Sequence, residues 1–402
     1  MPGYDAREMQ ESEVRMKNRI RVLYDAGGFR NPFDGVSFSF VETIKHLPDN
    51  IDPQLAIRTT CNVALQGEPF RVPGHPDLYH RFITSAEFHG KWRLWQLAQR
   101  MFPSKFPDYE ADNSRELEAR LGRGDFEVLH LTGPHAYGAA WRNVVGKKPF
   151  VITVHDLIPE IINHSVRVET SRREVLQAAS HVIAVSEHTK QDLIRLYGVP
   201  EEKVSVVHHG YEPLDALSGH ANVFKDRYIL YVGGRGGYKN WAWLVQTIAP
   251  LLREGRRLVC TGMPFTSAER GFLKKLKVVD YVSQQYVSAD EFPVLFASAS
   301  AFVYPSQYEG FGLPILDAFA AGCPVVLSRS SCFPEIAGDG AAYFDLGHSD
   351  ELNEVLLRVE NDDKYRASLI ANGKRRLSLY SWSKSGEAVG RIYERVVGTA
   401  GV

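Results

Sequence analysis

The chain has 402 residues, of which 44% are hydrophobic and 24% are charged, with 33 glycines and 21 prolines. This composition excludes a disordered, fibrous or repeat architecture, and the length exceeds the roughly 100–200 residues of one ordinary domain, so two domains are expected. Lys and Arg number 47 against 48 Asp and Glu. No overall positive field is therefore available for nucleic acid, and any anion site must be local.

The cysteines, the N-terminal residues and the least charged stretch argue against disulfides, a zinc site, a secretory signal and a membrane span. The four cysteines are Cys61, Cys260, Cys323 and Cys332. They form no CxxC pair and no Cys/His ligand spacing, so we expect reduced thiols and no zinc. Residues 1–18 are polar and acidic, unlike a secretory signal, and the least charged long stretch, 310–328, is broken by Pro314 and Pro324, which argues against a membrane span. We therefore expect a cytoplasmic protein.

Short β-branched runs alternate with turns and helical patterns along the chain, which is typical of strand–helix–strand units with parallel sheets. A first series of strands is predicted at residues 19–25, 128–131, 150–154, 182–185 and 204–207. A second series is predicted at residues 228–232, 257–261, 281–286, 301–304 and 324–327. Residues 211–226 have no periodic pattern and are the expected linker and hinge. The sequence thus predicts an α/β fold with two Rossmann-like halves.

One segment of the first half, from Lys91 to Phe102 (KWRLWQLAQRMF), has apolar residues on one helical face and basic and amide residues on the other. Most amphipathic helices face a core, and we favour a core helix here. The alternative is a basic, Trp-bearing face that touches a membrane surface or a lipid-linked acceptor.

The strongest group of candidate site residues follows the strand at 301–304. A turn there consists of Gly310, Phe311, Gly312 and Leu313. Its backbone N–H groups stand at the positive end of a helix, where a diphosphate or sugar oxygens would be held. Glu309 precedes the turn and Asp317 lies one helical turn beyond it, so both carboxylates can face one pocket. A strand, a glycine turn and a helix are common in α/β folds, so this motif alone does not establish a ligand site.

A second glycine-rich loop, GGRGGYKN at residues 233–240, follows the strand at 228–232. Its glycines, Gly234 among them, permit close backbone approach, and Arg235 and Lys239 can neutralise phosphate charge. The same residues could instead form a solvated loop. There is no Walker Gly-Lys-Ser/Thr signature and no Gly-x-Gly-x-x-Gly spacing, which argues against a nucleoside triphosphatase and a simple dehydrogenase.

Taken together, these motifs resemble the retaining GT-B glycosyltransferases of family 4. The matching segments are LYVGGRGGYKN at 230–240, the turn at Gly262 after RLVCTG, SADEFPVLFASASAFVYPSQYEGFGLP at 288–314 and PVVLSRSSCFPEIAG at 324–338. Weaker matches are TVHDL at 153–157, AVSEHTKQDL at 184–193 and VSVVHHGY at 204–211. The resemblance covers most of residues 128–383.

For the fold, the resemblance implies two Rossmann-like parallel-sheet domains that face a central cleft. The implied parts are an acceptor-side domain at 1–212, a nucleotide-sugar-binding domain at 213–383 and a last helix, 384–402, that crosses back over the first domain. Trp382 would pack near the crossing point. Gly35, in NPFDGVSFSF, resembles the family's glycine turn on the acceptor side, although a plain turn fits it equally. Glu335 also matches a family-typical position, without an assigned chemistry.

The resemblance also implies roles for single residues. Glu309 matches the first member of the family's glutamate–seven–glutamate motif and is expected to bind hydroxyls of the transferred sugar. Asp317 replaces the second glutamate, which holds the ribose, and its shorter stem calls for a closer helix or a bridging water. Arg235 and Lys239 match the basic pair that stabilises the leaving diphosphate, so no metal is expected. His155 matches a histidine near the donor sugar, its alternative being a structural histidine.

The implied catalytic set is Glu309, His155, Arg235 and Lys239, and the implied donor site is Gly234, Arg235, Lys239, Gly262, Glu309, Gly310, Phe311, Gly312, Leu313 and Asp317. The implied reaction is transfer of a hexose, with retention, from a nucleotide diphosphate sugar to a saccharide or lipid-linked saccharide in surface polysaccharide synthesis. GDP-mannose is the first donor candidate, followed by UDP-hexoses or another GDP-sugar. A nucleotide-sugar-binding scaffold without turnover and an epimerase or phosphorylase on the same fold remain alternatives. No cofactor and no nucleic-acid partner are expected, and the location is the cytoplasm or the inner face of the membrane.

Overall fold

A computed structural model describes residues 19–32, 34–74, 94, 97–98, 100–101, 108–133, 142, 144–212, 227–285 and 292–400. These residues contain two six-stranded sheets in which all neighbouring strands run parallel. The predicted α/β class with two Rossmann-like halves is therefore confirmed. The proposed boundary at 212/213 adjoins residues 213–226, which lie outside the described part of the chain.

The N-terminal sheet is built from six strands: β1 (Ile20–Tyr24), β2 (Ile51–Leu55), β3 (Val128–Leu131), β4 (Phe150–Val154), β5 (His181–Ala184) and β6 (Val204–Val206). Their order is β2-β1-β3-β4-β5-β6. Helices described in this half are α1 (Gly35–Lys45), α2 (Tyr109–Arg123), α3 (Ile158–Ile161), α4 (Val166–Ala178) and α5 (Glu187–Tyr197). Every residue of β3, β4 and β5 is buried, as expected for central parallel strands that are covered on both faces.

The C-terminal sheet consists of β7 (Tyr228–Tyr231), β8 (Leu258–Thr261), β9 (Val282–Gln285), β10 (Ala299–Tyr304), β11 (Val325–Ser328) and β12 (Ala341–Phe344), in the order β12-β11-β10-β7-β8-β9. Its helices are α6 (Trp241–Arg253), α7 (Ser267–Lys275), α8 (Phe292–Ser298), α9 (Leu313–Ala320), α10 (Phe333–Ala337), α11 (Ser349–Asn361) and α12 (Asp363–Leu377). One further helix, α13 (Trp382–Ala400), follows them.

Helix α13 packs on the N-terminal sheet rather than on the domain that precedes it. The hydroxyl of Tyr393 forms hydrogen bonds of 2.5 Å with the hydroxyl of Tyr24 and with Nδ1 of His130. Trp382 is 1% exposed and its ring lies 5.9 Å from that of Phe38 on α1. The last described helix thus completes the core of the N-terminal half.

All ten predicted strands are present, with ends that differ by at most two residues, while β2 and β12 were missed. Both missed strands lie at a sheet edge. Strand β2 has the sequence IDPQL, with aliphatic residues only at its two ends, and its Pro53 is tolerated at an edge because one ladder hydrogen bond can be absent there. Strand β12 has only the short run AAYF, which carries little strand signal.

The core-helix interpretation of residues 91–102 is wrong for the part that the structure describes. Leu94, Leu97 and Met101 are helical and are 57%, 52% and 61% exposed. The spacing of these residues places them on one face, so this apolar stripe faces outward rather than toward a core. Ala98 and Arg100 are also described, half-buried and exposed respectively, whereas the other residues of the segment, Lys91 and Phe102 included, lie outside the described residues. No described helix is long and apolar enough to cross a bilayer.

Candidate active site

The carboxyl ends of strands from both sheets meet at a contact between the two halves. His155 follows β4, and Gly310 stands in the turn between β10 and α9. A β-carbon placed on Gly310 would lie 1.6 Å from the carbonyl oxygen of His155. Nearby, a β-carbon on Gly35 would lie 3.5 Å from Cδ1 of Leu313. The glycine turn therefore touches the N-terminal half directly, at the strand ends where open α/β sheets bind ligands.

Helix α9 begins where the sequence predicts. Gly312 has a φ of 90°, a left-handed conformation that favours glycine, and Pro314 occupies the first turn. No side chain caps this end. Pro314 has no N–H, and the Ile315 N–H donates to the carbonyl oxygen of Gly312 at 2.9 Å, so the N–H groups that an anion could use are those of Gly312 and Leu313. Phe311 is 4% exposed and packs edge-on against His209, with ring centroids 4.9 Å apart. The ring of Phe311 therefore packs in the core beneath the turn, and only its backbone lies in the turn.

Glu309 and Lys239 are brought together by the fold. Lys239 Nζ donates a 2.8 Å hydrogen bond to Oε1 of Glu309 and a 3.2 Å hydrogen bond to the hydroxyl of Tyr304. Ser306 Oγ donates to the same Glu309 oxygen at 2.8 Å, and the Glu309 N–H donates to Ser331 Oγ at 3.0 Å. Glu309 is only 9% exposed. The carboxylate predicted to contact the sugar and the cation predicted to contact the phosphate thus form an ion pair.

Arg235 is held against the start of α7. Its Nε and Nη2 donate to the two carboxylate oxygens of Glu269 at 2.7 and 3.3 Å. Its guanidinium lies 4.8 Å from the ring centroid of Phe265. A β-carbon on Gly262 would lie 3.9 Å from Arg235 Nη1, so the guanidinium also borders the turn after β8. The predicted donor residues Arg235 and Gly262 are therefore adjacent.

His155 is enclosed by aromatic rings. Its ring lies 5.2 Å from that of Phe40 and stacks at 5.3 Å on that of His209. Its buried Nε2 has no hydrogen-bond partner among the described residues. Burial lowers the pKa of His155 to about 4, so the imidazole is neutral at neutral pH. A neutral imidazole with one free nitrogen can exchange a hydrogen bond with a ligand hydroxyl.

Asp317 lies within α9, and no described residue stabilises its charge. Burial alone raises the pKa of its carboxyl to about 7. The carboxyl of Asp317 is therefore partly protonated near neutral pH. The ribose contact at Asp317 stays a prediction, as does each other residue role implied by the resemblance.

Several residues near this site were not singled out from the sequence. Asp156, next to His155, approaches the glycine turn: a β-carbon on Gly310 would lie 3.4 Å from its Cβ. Burial raises the pKa of Asp156, and the charge of Glu309 adds to the effect. Burial also raises the pKa of Tyr238, with contributions from the charges of Glu309 and Asp156. The segment TVHDL already contained Asp156, but its approach to the opposite domain is a tertiary contact.

Glu335 connects the two halves. Its carboxylate accepts hydrogen bonds from the backbone N–H groups of Glu187 at 2.8 Å and His188 at 3.1 Å, and from His208 Nε2 at 2.7 Å. The two N–H groups belong to the first turn of α5, where a carboxylate is favoured. Burial opposes ionisation of Glu335, but these hydrogen bonds lower its pKa overall. The residue therefore caps a helix of the opposite domain.

One group of described residues has metal-ligand chemistry. Ligand atoms of Asp345, His348 and Glu351 lie within 4.8 Å of one another. Asp345 and His348 are exposed, and Asp345 pairs with Arg329 at 3.3 Å. Exposed acidic groups of this kind are common without a metal. The expectation that the reaction uses no metal stays a prediction.

Two Rossmann-like domains in contact through their carboxyl strand ends, with cations and carboxylates at that contact, define the GT-B class of glycosyltransferases. The model of the Glycosyltransferase Family 4 matches residues 63–213, and the model of Glycosyl transferases group 1 matches residues 219–376. The chain belongs to the GT-B glycosyltransferases of family 4, group 1.

Relatives and solved structures agree with this assignment. The chain is 30% identical over 235 residues to the Escherichia coli O-antigen chain mannosyltransferase B, covering 54% of this chain and 60% of that protein. It is 26% identical over 377 residues to the Mycolicibacterium hassiacum MMP alpha-(1->4)-mannosyltransferase, covering 87% and 88% of the two chains. The crystal structure of Anabaena HepE in complex with UDP-glucose matches with a TM-score of 0.68 at 15% identity, covering 95% of this chain and 100% of that one. At this identity the structural likeness concerns the fold.

Proposed function

We propose that the chain is a retaining, metal-independent hexosyltransferase that transfers mannose from GDP-mannose to a saccharide or lipid-linked saccharide during surface polysaccharide synthesis. The observation that carries the proposal is the Lys239–Glu309 pair, 2.8 Å apart, beside the uncapped start of α9. This arrangement offers a cation and free N–H groups to a diphosphate and a carboxylate to sugar hydroxyls. The names of the E. coli and Mycolicibacterium relatives support mannose as the sugar.

In the proposed reaction, a diphosphate oxygen lies near Lys239 and the Nη1 edge of Arg235. The bond from the anomeric carbon to the phosphate oxygen breaks while a bond to the acceptor hydroxyl oxygen forms on the same face. The acceptor proton passes to the departing phosphate oxygen. Both cations stabilise the negative charge that develops on the leaving group, which is the task that a metal performs in other transferases.

Two groups would orient the sugar. Glu309 is almost fully buried and is already fixed by Ser306 and Lys239, so it can accept hydrogen bonds from sugar hydroxyls without rearranging. The neutral His155 contributes its free Nε2 from the N-terminal side. Contact between the two domains at Gly310 excludes water, which would otherwise hydrolyse the donor.

A lipid-linked acceptor at the inner face of the membrane is the acceptor class that we favour. It is supported by the outward-facing apolar stripe of Leu94, Leu97 and Met101, with the exposed Arg100 on the same segment. Apolar and basic residues on one exposed helix suit the interface of an anionic bilayer. Co-sedimentation with anionic vesicles tests this contact, and Leu94→Ser with Leu97→Ser should reduce the bound fraction.

The main experiment combines donor screening with transfer. Binding of GDP-mannose, UDP-glucose and other nucleotide sugars is measured by the rise in melting temperature, because a ligand of the folded state stabilises it. Transfer is then measured with and without acceptors, and Glu309→Ala should abolish it while the melting temperature stays near that of the wild type. Full turnover by Glu309→Ala rejects the role of Glu309. Conversion of the nucleotide sugar without an acceptor would indicate an epimerase. Cleavage that requires free phosphate would indicate a phosphorylase, and binding without any turnover would indicate a scaffold.

A further inference from the structure

Arg235 lies in an environment that its predicted role does not explain. An arginine that only binds a diphosphate would bind it more tightly with no other anion nearby. The Glu269 carboxylate nevertheless accepts hydrogen bonds from Nε and Nη2 of Arg235 at 2.7 and 3.3 Å. The Arg235 side chain is 7% exposed and that of Glu269 is 20% exposed. At such a distance a carboxylate partly cancels the field that the guanidinium presents to a phosphate. Glu269 must therefore have a function at this position that offsets the weaker attraction between Arg235 and a phosphate.

Glu269 is itself fixed by the first turn of α7. Its Oε2 accepts a 2.7 Å hydrogen bond from the backbone N–H of Thr266, and its own N–H donates to Thr266 Oγ1 at 3.2 Å. These reciprocal bonds form a capping box. The ionised carboxylate is also favoured by the positive end of the helix. Consistently, the hydrogen bonds from Arg235 and Thr266 outweigh burial and lower the pKa of Glu269.

The rest of the guanidinium is held by the segment between β8 and α7. Nη2 donates to the carbonyl oxygen of Pro264 at 3.1 Å, and Nη1 points to the carbonyl oxygen of Thr261 at 3.5 Å. The ring of Phe265 lies 4.8 Å below. A bidentate carboxylate pair fixes the plane of an arginine, which a single carbonyl contact does not. The edge that borders the Gly262 turn is Nη1.

We propose that Glu269 is a positioning residue for the donor diphosphate: it locks the plane of Arg235 so that the Nη1 edge faces the turn at Gly262. This inference rests on the proposed function, because it assigns Arg235 to the diphosphate. Preorganisation of this kind lowers the cost of orienting a flexible side chain when the ligand binds. Glu269 acts only through Arg235 and touches neither sugar nor phosphate.

The test uses the full chain and nucleoside diphosphates alone. Binding constants for GDP and UDP are measured calorimetrically for the wild type, Glu269→Ala, Glu269→Gln, Arg235→Ala and the double variant. Glu269→Ala should weaken binding of the preferred nucleotide about tenfold, because a misoriented group loses most of its contribution. Glu269→Gln should lose less, since its amide oxygen still accepts from Nε. The double variant should bind as Arg235→Ala does, because Glu269 acts through Arg235.

Thr266→Ala is the matched control. It removes the hydroxyl of the same capping box and lowers stability by a similar route, but it leaves the backbone N–H of Thr266 and the Arg235–Glu269 pair in place. Its nucleotide affinity should stay within about twofold of the wild type. An equal loss of affinity in Thr266→Ala, or unchanged or tighter binding by Glu269→Ala, overturns the positioning role. If Arg235→Ala itself binds both nucleotides like the wild type, the diphosphate role of Arg235 fails instead.

Discussion

The backbone of Gly310 lies directly against the carbonyl oxygen of His155 in the other domain, with no room for a β-carbon, which would stand 1.6 Å from that oxygen. The contact joins the glycine turn before α9 to the end of β4. Because the neighbour is backbone, it cannot move aside as a flexible side chain could. The spacing between the two halves at the active site is therefore set by the absence of a side chain.

Replacing this glycine should separate the two halves locally. We expect Gly310→Ala to lower transfer at least about 100-fold, because a displacement of about 1 Å at a reacting centre has effects of this size. Gly271→Ala is the control: it lies in the exposed part of α7 with nothing within 4 Å of an added β-carbon. It should retain activity and gain about 0.5 kcal/mol in stability. A fully active Gly310→Ala contradicts the contact.

The Lys239–Glu309 pair should be visible in stability without any ligand. Lys239→Met leaves the buried Glu309 carboxylate without its cationic partner, and we expect it to lower the free energy of unfolding by about 2 kcal/mol. Adding Glu309→Gln removes the stranded charge, so the double variant should be more stable than Lys239→Met. Urea unfolding midpoints measure both values. A double variant that loses the sum of the two single losses shows that the residues are not coupled.

Nucleotide binding should release a proton from Asp317. At pH 7 a carboxyl with a pKa near 7 is about half protonated, and hydrogen bonds from ribose hydroxyls would favour its ionised form. We expect release of up to about half a proton, measured by calorimetry in buffers of different ionisation enthalpy. Asp317→Asn should show no such release. Equal release by the variant assigns the proton to another group.

The same raised pKa has a consequence for stability. The protonated Asp317 is the form that the folded state favours, so its contribution is complete below the unfolded pKa of about 4 and is lost as the pH rises through about 7. The stability of the wild type relative to Asp317→Asn should therefore fall between pH 4 and pH 8. Melting temperatures across this range, in the absence of nucleotide, give the comparison. A constant difference argues against a raised pKa.

His155 should make the protein sensitive to acid. Its folded pKa of about 4 lies below the usual value near 6.5, so the neutral imidazole stabilises the fold above pH 6.5. This contribution is lost as the pH falls from about 6.5 to 4 and amounts to as much as about 3 kcal/mol. His155→Gln, which cannot gain a proton, should lose less stability over that interval. If the free energies of unfolding of the wild type and His155→Gln fall in parallel as the pH is lowered, the pKa of His155 is not lowered by the fold.

Glu335 should influence how firmly the domains close. Glu335→Ala removes the carboxylate that accepts from the first N–H groups of α5 and from His208, although Ser186 still caps the helix. We therefore expect a loss of about 1–2 kcal/mol and a larger radius of gyration in solution scattering. A looser contact admits water, so donor hydrolysis should increase relative to transfer. Glu187→Gln is the control, because its side chain contacts Gln191 on the same helix. Unchanged scattering and hydrolysis in Glu335→Ala would contradict the closing role.

The sequence was sufficient for the α/β class and for ten of the twelve described strands. Eight of these ten are central parallel strands, which are largely apolar, and the other two, β6 and β9, lie at sheet edges. Strand β2 (IDPQL) was missed because it has few apolar residues and contains Pro53, and β12 was missed because its run AAYF is short. Glycine and charge patterns also located the turn at Gly310 and the loop that carries Arg235 and Lys239. The outward orientation of Leu94, Leu97 and Met101 could not be predicted, since an amphipathic pattern does not say what covers its apolar face.

Pairings at the site depend on contacts between distant parts of the chain. Glu309 meets Lys239 across 70 positions, and Glu335 meets the backbone of Glu187 across 148. A local sequence pattern does not indicate which residue so far along the chain will be the partner. Glu269 is the clearest example. The pattern Thr-x-x-Glu at 266–269 indicates a helix start, but the neighbouring sequence does not indicate that the same carboxylate binds Arg235.

The return of α13 to the first sheet affects the order in which the protein can fold during synthesis. Val389, Ile392 and Tyr393 complete the cluster that contains Val22 and Tyr24, yet the ribosome makes them after the whole second sheet. Part of the apolar interior of the half that is translated first therefore stays uncovered until α13 has been synthesised. Its final packing is a late step, and a stalled or shortened translation product would expose the surface that α13 covers.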